Sequence, residues 1–205
     1  RKNFRKDGPK SRLREQDIHK IVDTINNFVE IQGYSKMITF TEISNPKNDF
    51  NLNLPRYIDS SEPEDTQSID GHLRGGIPEF DVDQLNSYWK VFPSIRNLLF
   101  ESAGRPDFLK LKLPIEEIKN KILTHSEFKI FNETVKNVFK DWEKSCDPKL
   151  RDFTKASNVK QLILFLSDSL LNKFKLTPLI KSYDLYQSLM DYWTETMQDD
   201  CYLVS

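Results

Sequence analysis

The sequence predicts a mainly α fold: a helical bundle in the second half, preceded by a small extended or β element in the first. All six glycines lie at or before Gly104, so turns and loops concentrate in the first half. After Arg105, apolar residues recur at spacings of three and four, the period of helices with one buried face. Short alternating runs at Lys36–Ile43 and Phe108–Leu113 supply the extended part.

The first fourteen residues contain Arg1, Lys2, Arg5, Lys6, Lys10, Arg12 and Arg14 with little apolar material, and the chain opens without a methionine. This text reads as the last loop of an upstream domain. Ile18, Ile21, Val22, Ile25 and Val29 then follow a helical period, and Gly33 stands where a left-handed cap would end the helix. Lys36 to Ile43 alternates and reads as a strand. The run Asn48 to Asp59 reads as a second extended segment ending at Pro55. Asparagine is depleted in strands because its side chain competes for backbone hydrogen bonds, so Asn48, Asn51 and Asn53 together point to a specific hydrogen-bonding task.

Residues 60–80 read as an acidic surface loop, Ser60 to Ser68, closing on a Gly75-Gly76 turn. Helices are expected from a cap at Asp83 to Val91 and from Pro93, suited to a first turn, to Phe100. Phe108 to Leu113 is a short strand or an extended arm. Beyond it, Ser126 caps a helix whose stripe is Phe128, Phe131, Val135, Val138, Phe139 and Trp142, ended by Asp147-Pro148. Val159 to Phe174 is apolar on most faces and belongs at the centre of the bundle. Leu176-Thr177-Pro178 breaks the chain, and Asp184 opens a last helix carrying Leu185, Leu189, Met190, Tyr192, Trp193 and Met197.

Composition narrows the function classes. With 205 residues, 38% of them hydrophobic, the chain can bury a substantial core. Thirty basic residues against 31 acidic give a net charge of -1, so any nucleic-acid contact is local. Cys146 and Cys201 are unpatterned, which fits reduced thiols and a cytoplasmic location. No apolar stretch approaches the roughly 18 residues of a membrane span. His19, His72 and His125 lie far apart without metal-ligand spacing, Glu116-Glu117 and Asp199-Asp200 are adjacent carboxylates that point apart on a helix, and no Gly-x-Ser-x-Gly turn exists. Metal, acid-base and nucleophilic catalysis therefore lack support in the sequence.

Several segments in order carry a family likeness: Ser11-Arg12-Leu13-Arg14-Glu15-Gln16-Asp17-Ile18, Lys20-Ile21-Val22-Asp23-Thr24, the asparagine run through Leu54-Pro55-Arg56-Tyr57-Ile58-Asp59, Gly75-Gly76-Ile77-Pro78, Leu85-Asn86-Ser87-Tyr88-Trp89, and Asp191-Tyr192-Trp193-Thr194-Glu195 with Thr196 to Asp200. Together they resemble the carboxy-terminal part of the modification subunit of type I restriction-modification enzymes, the adenine-N6 DNA methyltransferase family. The resemblance implies a parent that transfers a methyl group from S-adenosylmethionine to a flipped-out adenine. It also implies division into residues 1–59, the end of the methyltransferase domain, residues 60–80, the loop, and residues 81–205, a carboxy-terminal helical region. The family's Asn-Pro-Pro-aromatic loop is missing, since Lys47 follows Asn45-Pro46, and no glycine turn for the cofactor can be found. This chain is therefore expected to hold no cofactor and to be inactive alone.

The resemblance further implies association with the specificity and restriction subunits of the same system, and with DNA through the assembled complex. Asn48, Asn51, Asn53, Arg56 and Tyr57 are the DNA-contact candidates; Arg56 would supply a phosphate-directed cation and Tyr57 a stacking or hydrogen-bonding ring. The other reading of this segment is a structural edge whose asparagines satisfy neighbouring backbone. Tyr186, Tyr192 and Trp193 are the partner-interface candidates, as aromatic anchors for the helical spacer of the specificity subunit, or for self-association where that subunit is absent. At helical spacing the same three residues also fit a core. A non-enzymatic helical adaptor is the alternative function.

Overall fold

The computed structural model describes residues 4–61, 67–155 and 157–205. Most of the expected acidic stretch, residues 62–66, lies outside the described residues. β1 (Arg5–Asp7) and β2 (Lys10–Arg12) pair antiparallel around Gly8-Pro9, and Gly8 takes the positive φ of 59° that the first position of a type II′ turn needs. The basic text is thus an exposed two-stranded ribbon rather than a loop.

α1 (Glu15–Asn26) starts on an ion pair that doubles as a cap. The Asp17 carboxylate accepts from the Arg14 backbone N–H at 3.2 Å, from Nε at 2.8 Å and from Nη2 at 3.0 Å. The helix ends at Asn26 and is capped at Asn27, well before Gly33. Phe28 adopts the left-handed conformation, φ 50°, while the Val29 N–H donates to the Thr24 carbonyl and the Phe28 N–H to that of Ile25, the Schellman pattern. Gly33, φ 69°, instead turns a small loop closed by the Ile31–Ser35 bridge.

The strand expected over 36–43 is replaced by α2 (Phe40–Ile43). Thr39 Oγ1 accepts from the Glu42 N–H at 3.2 Å, so the Thr-x-x-Glu helix-start signal overrides the apolar alternation. The asparagine run is not extended either. It passes through turns at residues 45–50 and then a 3₁₀ turn, Leu54–Arg56, in which Pro55 fits the first helical positions.

α3 (Ile69–Arg74) leads through Gly75, φ 75°, to β3 (Ile77–Pro78). Of the helix expected over 83–91 only α5 (Asn86–Trp89) forms, and Asp83, expected as its cap, instead ends α4 (Glu79–Asp83); α6 (Pro93–Leu99) begins on its proline as expected. β4 (Phe100–Ser102) and β5 (Phe108–Leu111) complete a three-stranded antiparallel sheet of order β3-β5-β4, so Phe108–Leu111 is a central strand and not an arm. Phe92, Ile95 and Leu99 form a small buried core here. It is covered by Ile118 and Ile122 of α7 (Ile115–Thr124) and by Phe128 and Phe131.

α8 (Ser126–Arg151) is 26 residues long, and at about 1.5 Å per residue it spans both cores of the carboxy-terminal region. Its cap is His125, whose Nδ1 accepts from the Glu127 N–H at 3.3 Å, one residue before the expected Ser126. Pro148 does not end it: one backbone bond is lost, yet the last turn holds through the Arg151–Asp147 pair at 2.6 Å and the packing of Phe153. α9 (Val159–Phe174) is central, as its apolar faces require, burying Leu162, Leu166, Leu170 and Phe174. α10 (Ser182–Tyr192), a π-helical turn (Trp193–Met197) and α11 (Gln198–Val204) pack against it, contributing Leu189, Met190, Trp193 and Cys201 to the larger core. Trp142 brings its indole N–H to Ser169 Oγ at 2.9 Å, so its polar handle is satisfied inside that core.

Candidate functional site

α8 and α10 both lean on α9 and leave an apolar groove between them. Leu166 and Leu170 of α9 form its floor, with Trp142 and Cys146 on one wall and Leu185 and Leu189 on the other; the hollow measures about 390 Å³. A second hollow of about 460 Å³ shares Phe139 and Leu185 with the first and continues the groove toward Val135 and Ile180. Phe139 and Tyr192 stand exposed on the rims. At the far end the π-helical turn begins at Trp193 and ends at Met197, which lines the groove; an extra residue per turn of this kind is a common device at functional sites.

The three expected interface aromatics separate here. Trp193 is 6% exposed and belongs to the core. Tyr186 is half-buried and its ring stacks on His19 of α1 at 4.3 Å. Tyr192 is 58% exposed and lines the groove, so it is the one of the three open to a partner. Phe139 was missed as a rim residue. Its signal is the adjacent pair Val138-Phe139: on one helix both cannot face inward, and Val138 takes the core.

The asparagine segment is a knot of local turns. Asn48 Nδ2 donates to the Glu42 carbonyl at 2.8 Å, and Asn51 Oδ1 accepts from the Asn53 N–H at 2.9 Å. Arg56 Nη1 donates to the Lys47 carbonyl at 3.1 Å, and the Tyr57 hydroxyl to the Asn51 carbonyl at 2.7 Å. Asn53 leads into the 3₁₀ turn and accepts the Arg56 N–H on its carbonyl. Asn51, Asn53 and Arg56 are exposed, while Asn48 and Tyr57 are half-buried. The structure therefore brings all five together on one surface loop, at whose tip Asp49 and Phe50 both have positive φ, 48° and 55°.

α1 meets α10, one wall of the groove, through a polar junction. The Gln16 N–H donates to Gln187 Oε1 at 3.1 Å, and the Tyr183 hydroxyl donates to Asp23 Oδ2 at 3.3 Å. His19 lies between Asp23, at 3.7 Å, and the rings of Tyr183 and Tyr186. Burial raises the pKa of both tyrosines, and the Asp23 carboxylate adds to the rise at Tyr183, so both phenols remain protonated and Tyr183 donates to Asp23. The Arg14 guanidinium holds the Asp17 carboxyl below the usual aspartate range. Periodicity did not reveal this junction, because its contacts are polar and the helix was read from its apolar residues.

Residues 1–66 match the family model for N-6 DNA methylase. That match takes in the basic text, the α1 text and the asparagine run, and it leaves the segments at 75–78, 85–89 and 191–200 outside. The resemblance to the adenine-N6 DNA methyltransferase family is thereby borne out over the first third of the chain. Among curated proteins, the chain is 40% identical over 70 residues to the type I restriction enzyme MjaVII methylase subunit of Methanocaldococcus jannaschii; the alignment covers 34% of this chain and 11% of that protein. No solved structure matches the chain. Among the described residues no helix is long and apolar enough to cross a membrane.

Proposed function

We propose that this chain is the carboxy-terminal part of the modification subunit of a type I restriction-modification enzyme, and that it supports adenine-N6 methylation by docking the specificity subunit and helping to hold DNA. S-adenosylmethionine belongs to the parent enzyme, with the restriction subunit as a further partner of the complex. The observation that carries this reading is a methylase-like segment, residues 1–66, joined through α1 to a bundle that presents an open apolar groove. A groove between two helices over a third accepts an amphipathic helix as the fourth member of a bundle, and the helical spacer of the specificity subunit has that form.

Two roles follow for the residues. Tyr192 anchors the incoming helix, with Phe139 opposite; Trp193 in the core and Tyr186 stacked on His19 of α1 hold α10 in place. Arg56 and Asn51 touch DNA backbone from the exposed turn, where their side chains are already ordered by local hydrogen bonds. The test is capture of the cognate specificity subunit by this chain, measured by calorimetry. Tyr192→Ala is expected to weaken it about thirtyfold, roughly 2 kcal/mol at an anchor position. Arg56→Ala is expected to leave that capture unchanged and to weaken DNA engagement by the assembled complex about tenfold or more, as the loss of a charge-assisted bond requires. A folded, monomeric chain that fails to capture the subunit contradicts the docking role.

A further inference from the structure

α1 is amphipathic in the reverse sense. Its buried or half-buried side chains are polar: Gln16, Asp17, His19, Lys20 and Asp23 face α10 or the loops beside it. Its apolar residues Ile18, Ile21, Val22 and Ile25 are exposed, Ile25 to 64%. An apolar stripe several residues long turned to water is rare on a complete protein surface and marks an interface. The stripe ends on Phe28, 69% exposed and held at φ 50°, a conformation that a bulky residue adopts only at the expense of strain. Among the described residues no aromatic or core partner rewards an exposed phenylalanine there.

The region around α1 shows the same lack. Among residues 4–61 no apolar side chain is buried, although Phe40, Phe50, Leu52 and Leu54 are present and exposed. Yet residues 1–66 match a methylase family, and the aligned segment is 11% of the archaeal methylase subunit. A methylase fold has many more residues with which to cover such a face.

We propose that the outward stripe of α1, Ile18, Ile21, Val22, Ile25 and Phe28, is the seam on which the catalytic body of an N-6 DNA methylase domain sits, that body being further sequence of the same polypeptide. The inference rests on reading residues 1–66 as methylase sequence. It makes α1 a two-sided strut: its apolar side joins the methylase body, its polar side joins α10, and α10 lines the docking groove with Leu185, Ser188 and Leu189. The groove and the methylase body are then separated by two helices.

The test compares Val22→Asp and Ile25→Asp in this chain and in the polypeptide encoded by the complete reading frame, using hydrogen exchange at the α1 amides. In this chain neither variant changes melting or exchange, because the residues face water. In the complete polypeptide the α1 amides are expected to gain protection on the order of 100-fold, and either variant abolishes the gain. The proposal is overturned if the variants unfold this chain, if α1 gains no protection in the complete polypeptide, or if the reading frame has no methylase sequence ahead of residue 1. It is also overturned if this chain forms a dimer that Val22→Asp breaks, since the stripe then belongs to a second copy. Capture of the specificity subunit is measured on the same variants and is expected to be unchanged, so loss of docking and loss of the seam are read separately.

Discussion

Residues 4–61 and residues 81–205 are built on opposite plans. Among the described residues the second region buries fifteen apolar side chains, fourteen of them in two cores, and its long helices meet through them. The first region buries one side chain, Asp17 at 7% exposure, and holds its shape with caps, turns and a carboxylate-guanidinium pair. Burial of apolar surface is the main favourable term in folding, while a local hydrogen bond contributes only about 1 kcal/mol net. The carboxy-terminal helices can therefore stand alone, and the amino-terminal segment takes its order from what it touches. In this chain that is α10; in the proposed parent it is also a methylase body.

The contrast is sharpest in the core. Trp193→Ala or Leu166→Ala empties a packed site and is expected to destabilise the chain by about 3 to 5 and 2 to 5 kcal/mol respectively, measured by urea denaturation. Ile25→Ala, on the exposed stripe, is expected to change stability by less than about 0.5 kcal/mol. A large loss from Ile25→Ala breaks the comparison.

Asp17→Asn tests the amino-terminal side. It removes a bidentate charge-assisted contact and a helix cap at once, and is expected to destabilise α1 by about 1.5 to 3 kcal/mol, read as faster hydrogen exchange there with α9 unaffected. The same contact fixes a pH dependence. The folded-state pKa of Asp17 is depressed, so its contribution is present above the ordinary aspartate pKa, roughly 4, and is lost as pH falls through the lower folded value. Loosening of α1 on acidification, absent in Asp17→Asn, is the expected result.

The smallest effect is conformational. Phe28→Gly relieves a left-handed phenylalanine whose ring packs on little, and is expected to stabilise this chain by about 1 kcal/mol. In a complete polypeptide the same change is expected to be unfavourable, because the seam loses an aromatic residue.

Legibility in the sequence followed the same division. The helical second half could be read because apolar spacing reports packing: α9 runs over the expected residues, and α6 starts on Pro93 as expected. In the first half the apolar residues of α1 stay exposed, so their pattern reports no packing among the described residues. Ile18 to Ile25 lie on the helix as expected while Val29 falls beyond its end, but the apolar stripe says nothing of the polar junction with α10, and the cap went to Phe28 instead of Gly33. The strand expected at Lys36–Ile43 was lost to Thr39 and Glu42, a local signal stronger than the alternation. Pro148 shows the limit of a strong breaker three residues from a helix end that tertiary packing holds. Of the candidate site, the asparagines were visible as a cluster, whereas the groove requires knowing which of Val138 and Phe139, and which of Tyr192 and Trp193, turns inward.

Native-state hydrogen exchange across this chain tests the division most directly. Amides of α8, α9 and α10 are expected to exchange only on global unfolding, and those of α1, α2 and the asparagine turns by low-energy local opening that leaves the bundle intact. Equal protection of both regions, with a single opening energy, would contradict the account.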